Sequence, residues 1–283
     1  MHRRVLKDAE LQTRFDKDGF VVIDMFSDQE FNGLKAILNN LNEKKKDLQF
    51  NINTDYKLSF FSTEPDYRKQ VFNSISAFCM PIVSRFLDEY EPLIVNTFDK
   101  EPGEGEVPIH QNWTFVDESK ATSVSVWIPM IDTTRTNGTM EVVKGSHRVL
   151  SNYRSPSIPW VFENLRTEIR TKYMEPIDAR IGQAVVLDDS ILHYTSQNDS
   201  ETVRSAIQLI MKPNDVPAIH YHLPSKSSGD VDVYEVDWEF FTRFNMNEPP
   251  TGVKKIDELT IHQHFLTEDE LIERIEPLKV ADR

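Results

Sequence analysis

Between Leu93 and Met211 the chain runs through seven short β-branched or aromatic segments, most of them separated by turn residues. They are Leu93–Phe98, His110–Val116, Thr122–Pro129, Thr139–Val143, Ala184–Leu187, Leu192–Ser196 and Val203–Met211. Parallel strands need crossovers of about a dozen residues or more, usually helical, so this series predicts antiparallel pairing in a sandwich or barrel. One long stretch, Leu150 to Pro176, interrupts it. It carries Pro156, Pro159, Trp160 and Phe162 and reads as an insertion or lid over a barrel mouth. The chain has only 9 glycines in 283 residues, which makes each glycine turn informative, and Asn137-Gly138 is the strongest local turn signal, read as structural.

Ahead of the strands the pattern is helical. Leu6 to Asp18 carries Leu6, Leu11 and Phe15, with Gly19 placed as a left-handed cap, and Phe20-Val21-Val22-Ile23 follows as a short strand. Ser27-Asp28-Gln29-Glu30 has capping-box form, and Phe31, Leu34, Ile37, Leu38 and Leu41 follow at helical spacing up to the Lys44-Lys45-Lys46 run. Pro65 to Tyr90 holds a further helix, with Cys79 beside its apolar stripe as core filler. Beyond the strand series come expected edge strands at Ala218–His222 and Asp232–Val236, then helices over Asp237–Phe244 and Thr267–Ile275. No linker or repeat divides the chain. It reads as one domain over 1–283: a helical N-terminal region (residues 1–92), a β core of about 93–212 and an extension over 213–283.

Composition narrows the function. With 32 basic against 46 acidic residues the formal charge is −14, which makes nucleic acid a poor partner. A single cysteine excludes an intramolecular disulfide, a Cys-rich zinc site and an iron–sulfur cluster, and fits a reducing compartment. No apolar run approaches the roughly 18 residues of a membrane span and no signal-peptide core follows Met1, so the expectation is a cytoplasmic protein away from membranes. A phosphate-binding loop, a dinucleotide fingerprint, a nucleophile elbow and an H-E-x-x-H helix are all absent.

The histidines carry the remaining chemistry. His110-Gln111-Asn112 follows the turn-rich Glu101–Glu106, and i, i+2 spacing on a strand turns His110 and Asn112 to one side. His193 lies on a later strand after Gly182–Asp189, and Arg204 comes eleven residues after it. Between them stand Trp127-Ile128-Pro129, Asn137-Gly138-Thr139-Met140 and Gly145-Ser146-His147.

This ordered set, with the Asp18-Gly19-Phe20-Val21-Val22 opening, resembles the phytanoyl-CoA dioxygenase-like family of Fe(II)/2-oxoglutarate-dependent oxygenases. The likeness covers most of the chain and is strongest from His110 to Lys212. It implies a mainly β fold with flanking helices, a double-stranded β-helix or jelly roll with iron inside one end. It implies His110 and His193 as imidazole ligands of Fe(II), and Arg204 as the clamp on the far carboxylate of the cosubstrate 2-oxoglutarate, a task that suits a planar guanidinium. Trp127 is expected to wall the cosubstrate pocket. Many relatives carry a hydroxyl two places after the arginine; here that residue is Ala206, so either Thr195, Ser205 or another donor substitutes, or the contact is missing. With O₂, such a site hydroxylates or otherwise oxidises a C–H bond of a small molecule or carrier-bound intermediate.

The family pattern places Asp where this chain has Asn112. Asn offers a neutral carbonyl oxygen, so three readings stay open: a working neutral ligand, an impaired or non-catalytic 2-oxoglutarate-binding homologue, and a halogenase with chloride in the vacated position. Asp188-Asp189 and Asp117-Glu118 are nearby carboxylates that could reach a metal. Arg154, Trp160 and Phe162 in the insertion are the expected substrate contacts. His147 reads as a turn-fixing residue, His220 and His222 as structural or substrate-contacting, and His2, His262 and His264 as surface residues.

Overall fold

The computed structural model describes residues 3–45, 48–50, 52, 54–225, 229–262 and 264–280. His2, Lys46 and Gln263 lie outside the described residues. The helical N-terminal region contains α1 (Ala9–Asp18), β1 (Phe20–Asp24), α2 (Asp28–Lys45), β2 (Tyr56–Leu58) and α3 (Pro65–Val83). Gly19 caps α1 at φ 82°, and its N–H donates to the Phe15 carbonyl. The capping box forms at α2: the Ser27 N–H donates to the Glu30 carboxylate at 2.8 Å and the Glu30 N–H to Ser27 Oγ at 3.4 Å.

The strand series contains β3 (Tyr90–Lys100), β4 (Val107–His110), β5 (Val124–Pro129), β6 (Met140–Val142), α4 (Arg166–Lys172), β7 (Glu175–Ile177), β8 (Gln183–Asp188), β9 (His193–Thr195) and β10 (Arg204–Pro213). The extension adds β11 (Ala218–His222), β12 (Asp230–Val236), α5 (Trp238–Arg243), β13 (Lys254–Thr260) and α6 (Glu268–Val280). Among the described residues no helix is long and apolar enough to cross a membrane.

Among the described residues every pair of neighbouring strands is antiparallel. A major sheet has the order β1-β8-β5-β10-β3-β2, a minor sheet β4-β9-β6-β7, and a third β11-β12-β13. The first two wall a common cavity, as the expected jelly roll requires. The alternation of side chains along each strand divides the major sheet into two functional faces. Val124, Val126, Ile128, Ile207, Leu209 and Met211 pack outward against Leu34, Leu38, Leu41, Val71 and Ile75 of α2 and α3. The intervening residues Trp127, Arg204, Gln208 and Ile210 face inward, joined by Ile94, Asn96 and Phe98 of β3.

One expectation at the edge of an element needs correction. β4 ends at His110 instead of running to Val116. Pro108 has no N–H for the ladder, and the pairing with β9 shifts register between Val107 and His110. Asn137-Gly138 forms the expected turn: Gly138 ends a short 3₁₀ turn at φ 75°, with Thr134 and Asn137 forming its capping box.

The insertion also differs from a lid. Phe162, Leu165, Ile169 and Tyr173 join Ile109, Leu192 and Tyr194 in a cluster completed by Leu271 and Ile275 of α6. It is therefore braced against the minor sheet, away from the cavity.

Candidate metal and cosubstrate site

The site is assembled by pairing. His110 and His193 are directly opposite across β4 and β9, and their rings lie 4.1 Å apart between centroids. Each ring is anchored in the same way. His110 Nδ1 lies 2.8 Å from the Pro108 carbonyl and His193 Nδ1 lies 2.9 Å from the Ile191 carbonyl. A carbonyl only accepts, so both Nδ1 atoms carry the proton and both Nε2 lone pairs are left for a ligand. Burial lowers the His110 pKa to about 4 and that of His193 well below the usual imidazole value, so both are neutral at pH 7.

Asn112 follows on irregular chain, held by neighbours that sequence spacing alone did not suggest. Gln111 Nε2 donates to the carbonyls of Leu150 (3.0 Å) and Ser190 (2.5 Å), and Arg154 Nε donates to the Asn112 carbonyl at 2.7 Å. The Asn112 amide Nδ2 donates to Asp189 Oδ1 at 2.8 Å and Ser125 Oγ at 3.0 Å. Its Oδ1 has no hydrogen-bond donor among the described residues, while Asn112 lines the same cavity as both histidines. Among the described residues no group of three His, Cys, Asp or Glu side chains is placed to hold a metal. The nearby carboxylates are engaged elsewhere. Asp188 accepts from Ser190, Asp117 from Ser119 and Lys120, and Glu118 pairs with Arg154. Asp189 sits behind Asn112, where burial raises its pKa to about 7.

On the major sheet, Arg204 is 1% exposed. Its Cζ lies 5.4 Å from the Phe98 ring centroid and 5.2 Å from that of Trp127. Nη2 donates to the Gly138 carbonyl at 2.6 Å, whereas Nε and Nη1 are buried with no partner among the described residues. Leaving buried charged donors unpaired costs more than the roughly 1–3 kcal/mol of a neutral group, so this guanidinium is built for an anion. Burial lowers its pKa to about 9, which leaves it charged at pH 7.

Lys100 lies opposite Arg204 across β3 and β10, and its Nζ donates to Thr195 Oγ1 at 2.7 Å and the Ser196 carbonyl at 2.5 Å. Desolvation and the Arg204 charge lower its pKa to about 6. Since Lys100 donates to Thr195 Oγ1, the threonine hydroxyl keeps its own proton to donate, and Thr195 lines the cavity. Ser205, the other candidate for the missing hydroxyl, lies on the outward face of β10 and donates to Asp99 at 2.6 Å.

The cavity has a volume of about 310 Å³. Besides the groups named, Tyr56, Phe60, Phe61, Trp113, Phe115 and Met246 line it. It therefore gathers His110, Asn112, Trp127, His193, Thr195 and Arg204 from the sequence-predicted set, and leaves out the three expected substrate contacts. Arg154 is buried against Glu118 and clamps the Asn112 backbone, Trp160 Nε1 donates to Gln111 Oε1 at 3.3 Å, and Phe162 is 1% exposed within the insertion cluster. All three support the Asn112 loop from behind. His147 contacts the Asp16 carbonyl at 3.2 Å, His220 is packed among Trp113, Phe240 and Phe244, and His264 pairs with Glu270. Lys100 and the aromatic wall gave no sequence signal: a lysine at a strand end reads as exposed, and aromatics read as core.

The fold and the paired histidines define a jelly-roll protein whose cavity sets two facing imidazoles against a buried guanidinium with two unpaired donor atoms. The sequence model of the phytanoyl-CoA dioxygenase (PhyH) family matches residues 15–206, and the chain belongs to that family. Phytanoyl-CoA dioxygenase 1 of Oryza sativa subsp. japonica is 29% identical over 113 residues, 39% of this chain and 40% of that protein. A phytanoyl-CoA dioxygenase domain-containing protein 1 homologue of Dictyostelium discoideum is also 29% identical over 113 residues. The alignments thus span about 40% of the length of these curated relatives. Among solved structures, the non-heme α-ketoglutarate-dependent carbocyclase SnoK from nogalamycin biosynthesis has a TM-score of 0.54 at 19% identity, covering 75% of this chain and 86% of that one. EctD from S. alaskensis, with 2-oxoglutarate and 5-hydroxyectoine, also reaches 0.54 at 19% identity, with 76% and 78% covered. HygX from Streptomyces hygroscopicus, with nickel and 2-oxoglutarate bound, has a TM-score of 0.51 at 16% identity, with 74% and 88% covered. These likenesses establish the shared fold.

Proposed function

We propose that the chain is an Fe(II)- and 2-oxoglutarate-dependent oxygenase that hydroxylates, or otherwise oxidises, a C–H bond of a small organic molecule. The observation that carries this reading is one cavity containing two imidazoles with free Nε2 atoms and a buried guanidinium with two unpaired donor atoms. The donor set suits the group. Nε2 of His110, Nε2 of His193 and Oδ1 of Asn112 would hold the metal, and three neutral donors leave its +2 charge undiminished. When bound, iron(II) and 2-oxoglutarate supply the oxidation of substrate by O₂, with release of succinate and CO₂.

The protein's own residues orient and exclude. Arg204 pairs with the far carboxylate of 2-oxoglutarate, Thr195 donates its hydroxyl to the same carboxylate, and Phe98 and Trp127 keep water from the ion pair. The backbone carbonyls of Pro108 and Ile191 fix the ring tautomers. The rest of the lining defines the substrate. Arg204 is the only formally charged side chain in it at pH 7 among the described residues, and the cosubstrate takes that charge. What remains is aromatic, aliphatic and amide, which fits a neutral, largely apolar molecule. A polyanionic carrier such as a CoA nucleotide finds no cation in this lining.

The neutral ligand set also supports a second reading, a 2-oxoglutarate-binding homologue with weak metal retention. Succinate formation separates the two. Oxygen-dependent conversion of 2-oxoglutarate to succinate above a metal-free control, abolished in His193→Ala and Arg204→Gln, is expected of the oxygenase. No succinate with any neutral substrate, from protein that retains iron, leaves the binding homologue. The chloride-binding variant is disfavoured because the Asn112 side chain occupies the position and is held there by Ser125 and Asp189.

A further inference from the structure

The third ligand position has a feature that the oxygenase reading does not use. Asp189 is fully buried, and no ion pair to Lys or Arg reaches it among the described residues. Its Oδ1 accepts from Asn112 Nδ2 at 2.8 Å and from the Ser125 hydroxyl at 2.7 Å, and the Asp189 N–H donates to the Ser123 carbonyl at 3.2 Å. Gln208 Nε2 donates to the same Ser125 Oγ at 3.2 Å and Asn96 Nδ2 to Gln208 Oε1 at 3.4 Å, so the chain of donors from the cavity wall ends on this carboxylate. An amide can be turned two ways. With Nδ2 on Asp189, every bond is donor to acceptor, and Asp189 Oδ1 accepts from both Asn112 and Ser125, as the ionised carboxylate does; turned over, Asn112 Oδ1 would face that carboxylate oxygen, and two buried acceptors would meet with no proton between them. The arrangement therefore fixes which atom of Asn112 is left for the cavity.

We infer that Asn112 and Asp189 are a matched pair in which Asp189 is a positioning residue: it locks the Asn112 amide with its oxygen toward the metal position. Asn112 is then an adapted ligand and not a decayed one. The inference rests on the reading of His110, Asn112 and His193 as the metal site. It also reverses the simplest repair. An aspartate at 112 would set two carboxylates against each other, so the acidic residue belongs at one of the two positions and not at both.

The test is a double-mutant cycle on Co(II) binding to metal-free protein, read from the visible absorption of the bound ion and by calorimetry, without cosubstrate or turnover. Wild type and His193→Ala come first: Co(II) binding that does not depend on His193 overturns the metal-site reading, and the inference with it. Given that dependence, Asn112→Asp alone is expected to weaken Co(II) about tenfold or more, in the range typical of broken outer-shell contacts. Asn112→Asp with Asp189→Asn exchanges donor and acceptor and is expected to restore wild-type affinity or better. Additive effects, or a single Asn112→Asp that tightens Co(II) as much as the double variant, would overturn the pairing while leaving the metal site standing. If Asn112→Asp does not fold, Asp189→Leu decides: weaker Co(II) binding by about tenfold with the His193-dependent spectrum altered supports the inference, and unchanged binding overturns it.

Discussion

At the scale of single residues, two basic side chains meet at one end of the cavity, and the sequence made only Arg204 visible. Arg204 was legible because its distance from His193 matches a family pattern. Lys100 was not, because only the β3–β10 register buries it beside Arg204. Its pKa of about 6 means that it is mostly neutral above pH 7 with no anion beside it. A bound dicarboxylate supplies the negative charge that Lys100 lacks and pushes its pKa upward. Binding of 2-oxoglutarate near pH 7.5 is therefore expected to take up a proton, up to one per site. Calorimetric titrations in two buffers of different ionisation enthalpy measure this directly. In Lys100→Met the uptake disappears; equal uptake in both proteins would remove Lys100 from the cosubstrate's surroundings.

At the scale of elements, periodicity located ten of the thirteen strands among the described residues and missed the short β2 and β7 and the exposed β13, and the errors have physical causes. Pro108 interrupts the ladder within β4 and the strand ends at His110, so Asn112 reaches the cavity from a loop braced by Gln111 and Arg154, not by strand alternation. The insertion from Leu150 to Pro176 contains aromatics for a core of its own, behind the minor sheet. A one-dimensional pattern cannot tell which side of a sheet a long segment will cover. Gly138 shows the coupling between local geometry and the site. It holds φ at 75°, a side chain there would press on the Ser196 carbonyl, and its own carbonyl anchors Arg204. Gly138→Ala is expected to cost about 1–3 kcal/mol of stability through backbone strain. It should also weaken 2-oxoglutarate binding by displacing the Arg204 anchor. Urea unfolding and a 2-oxoglutarate titration check the two effects separately.

At the scale of the whole molecule, helices α2 and α3 cover one face of the major sheet, and an aromatic cluster that includes Phe60, Trp113 and Phe115 walls the cavity on the other. His220 is 3% exposed in that cluster, and burial lowers its pKa to about 3 against an ordinary value of 6.5. A depressed imidazole pKa means that the unfolded chain binds a proton that the folded chain refuses. The His220 contribution to stability is thus complete above pH 6.5 and is lost as the pH falls from there toward 3, at up to about 1.4 kcal/mol per unit. Replacing it by Phe, close in volume, should leave stability at pH 7 within about 1.5 kcal/mol of the parent and make the acid limb shallower. Urea midpoints at pH 7 and pH 5 give the comparison, and identical slopes would place the acid sensitivity elsewhere.

The central claim is that His110, Asn112 and His193 hold iron(II) in the same cavity in which Arg204 holds 2-oxoglutarate. The most direct measurement is an anaerobic titration of metal-free protein, first with Fe(II) and then with 2-oxoglutarate, following the visible charge-transfer band of the chelated keto acid. The expected result is a band that saturates at one 2-oxoglutarate per chain, is lost in His193→Ala, and requires far more 2-oxoglutarate in Arg204→Gln. Full iron loading with no band at saturating 2-oxoglutarate, or a band indifferent to His193, would contradict it.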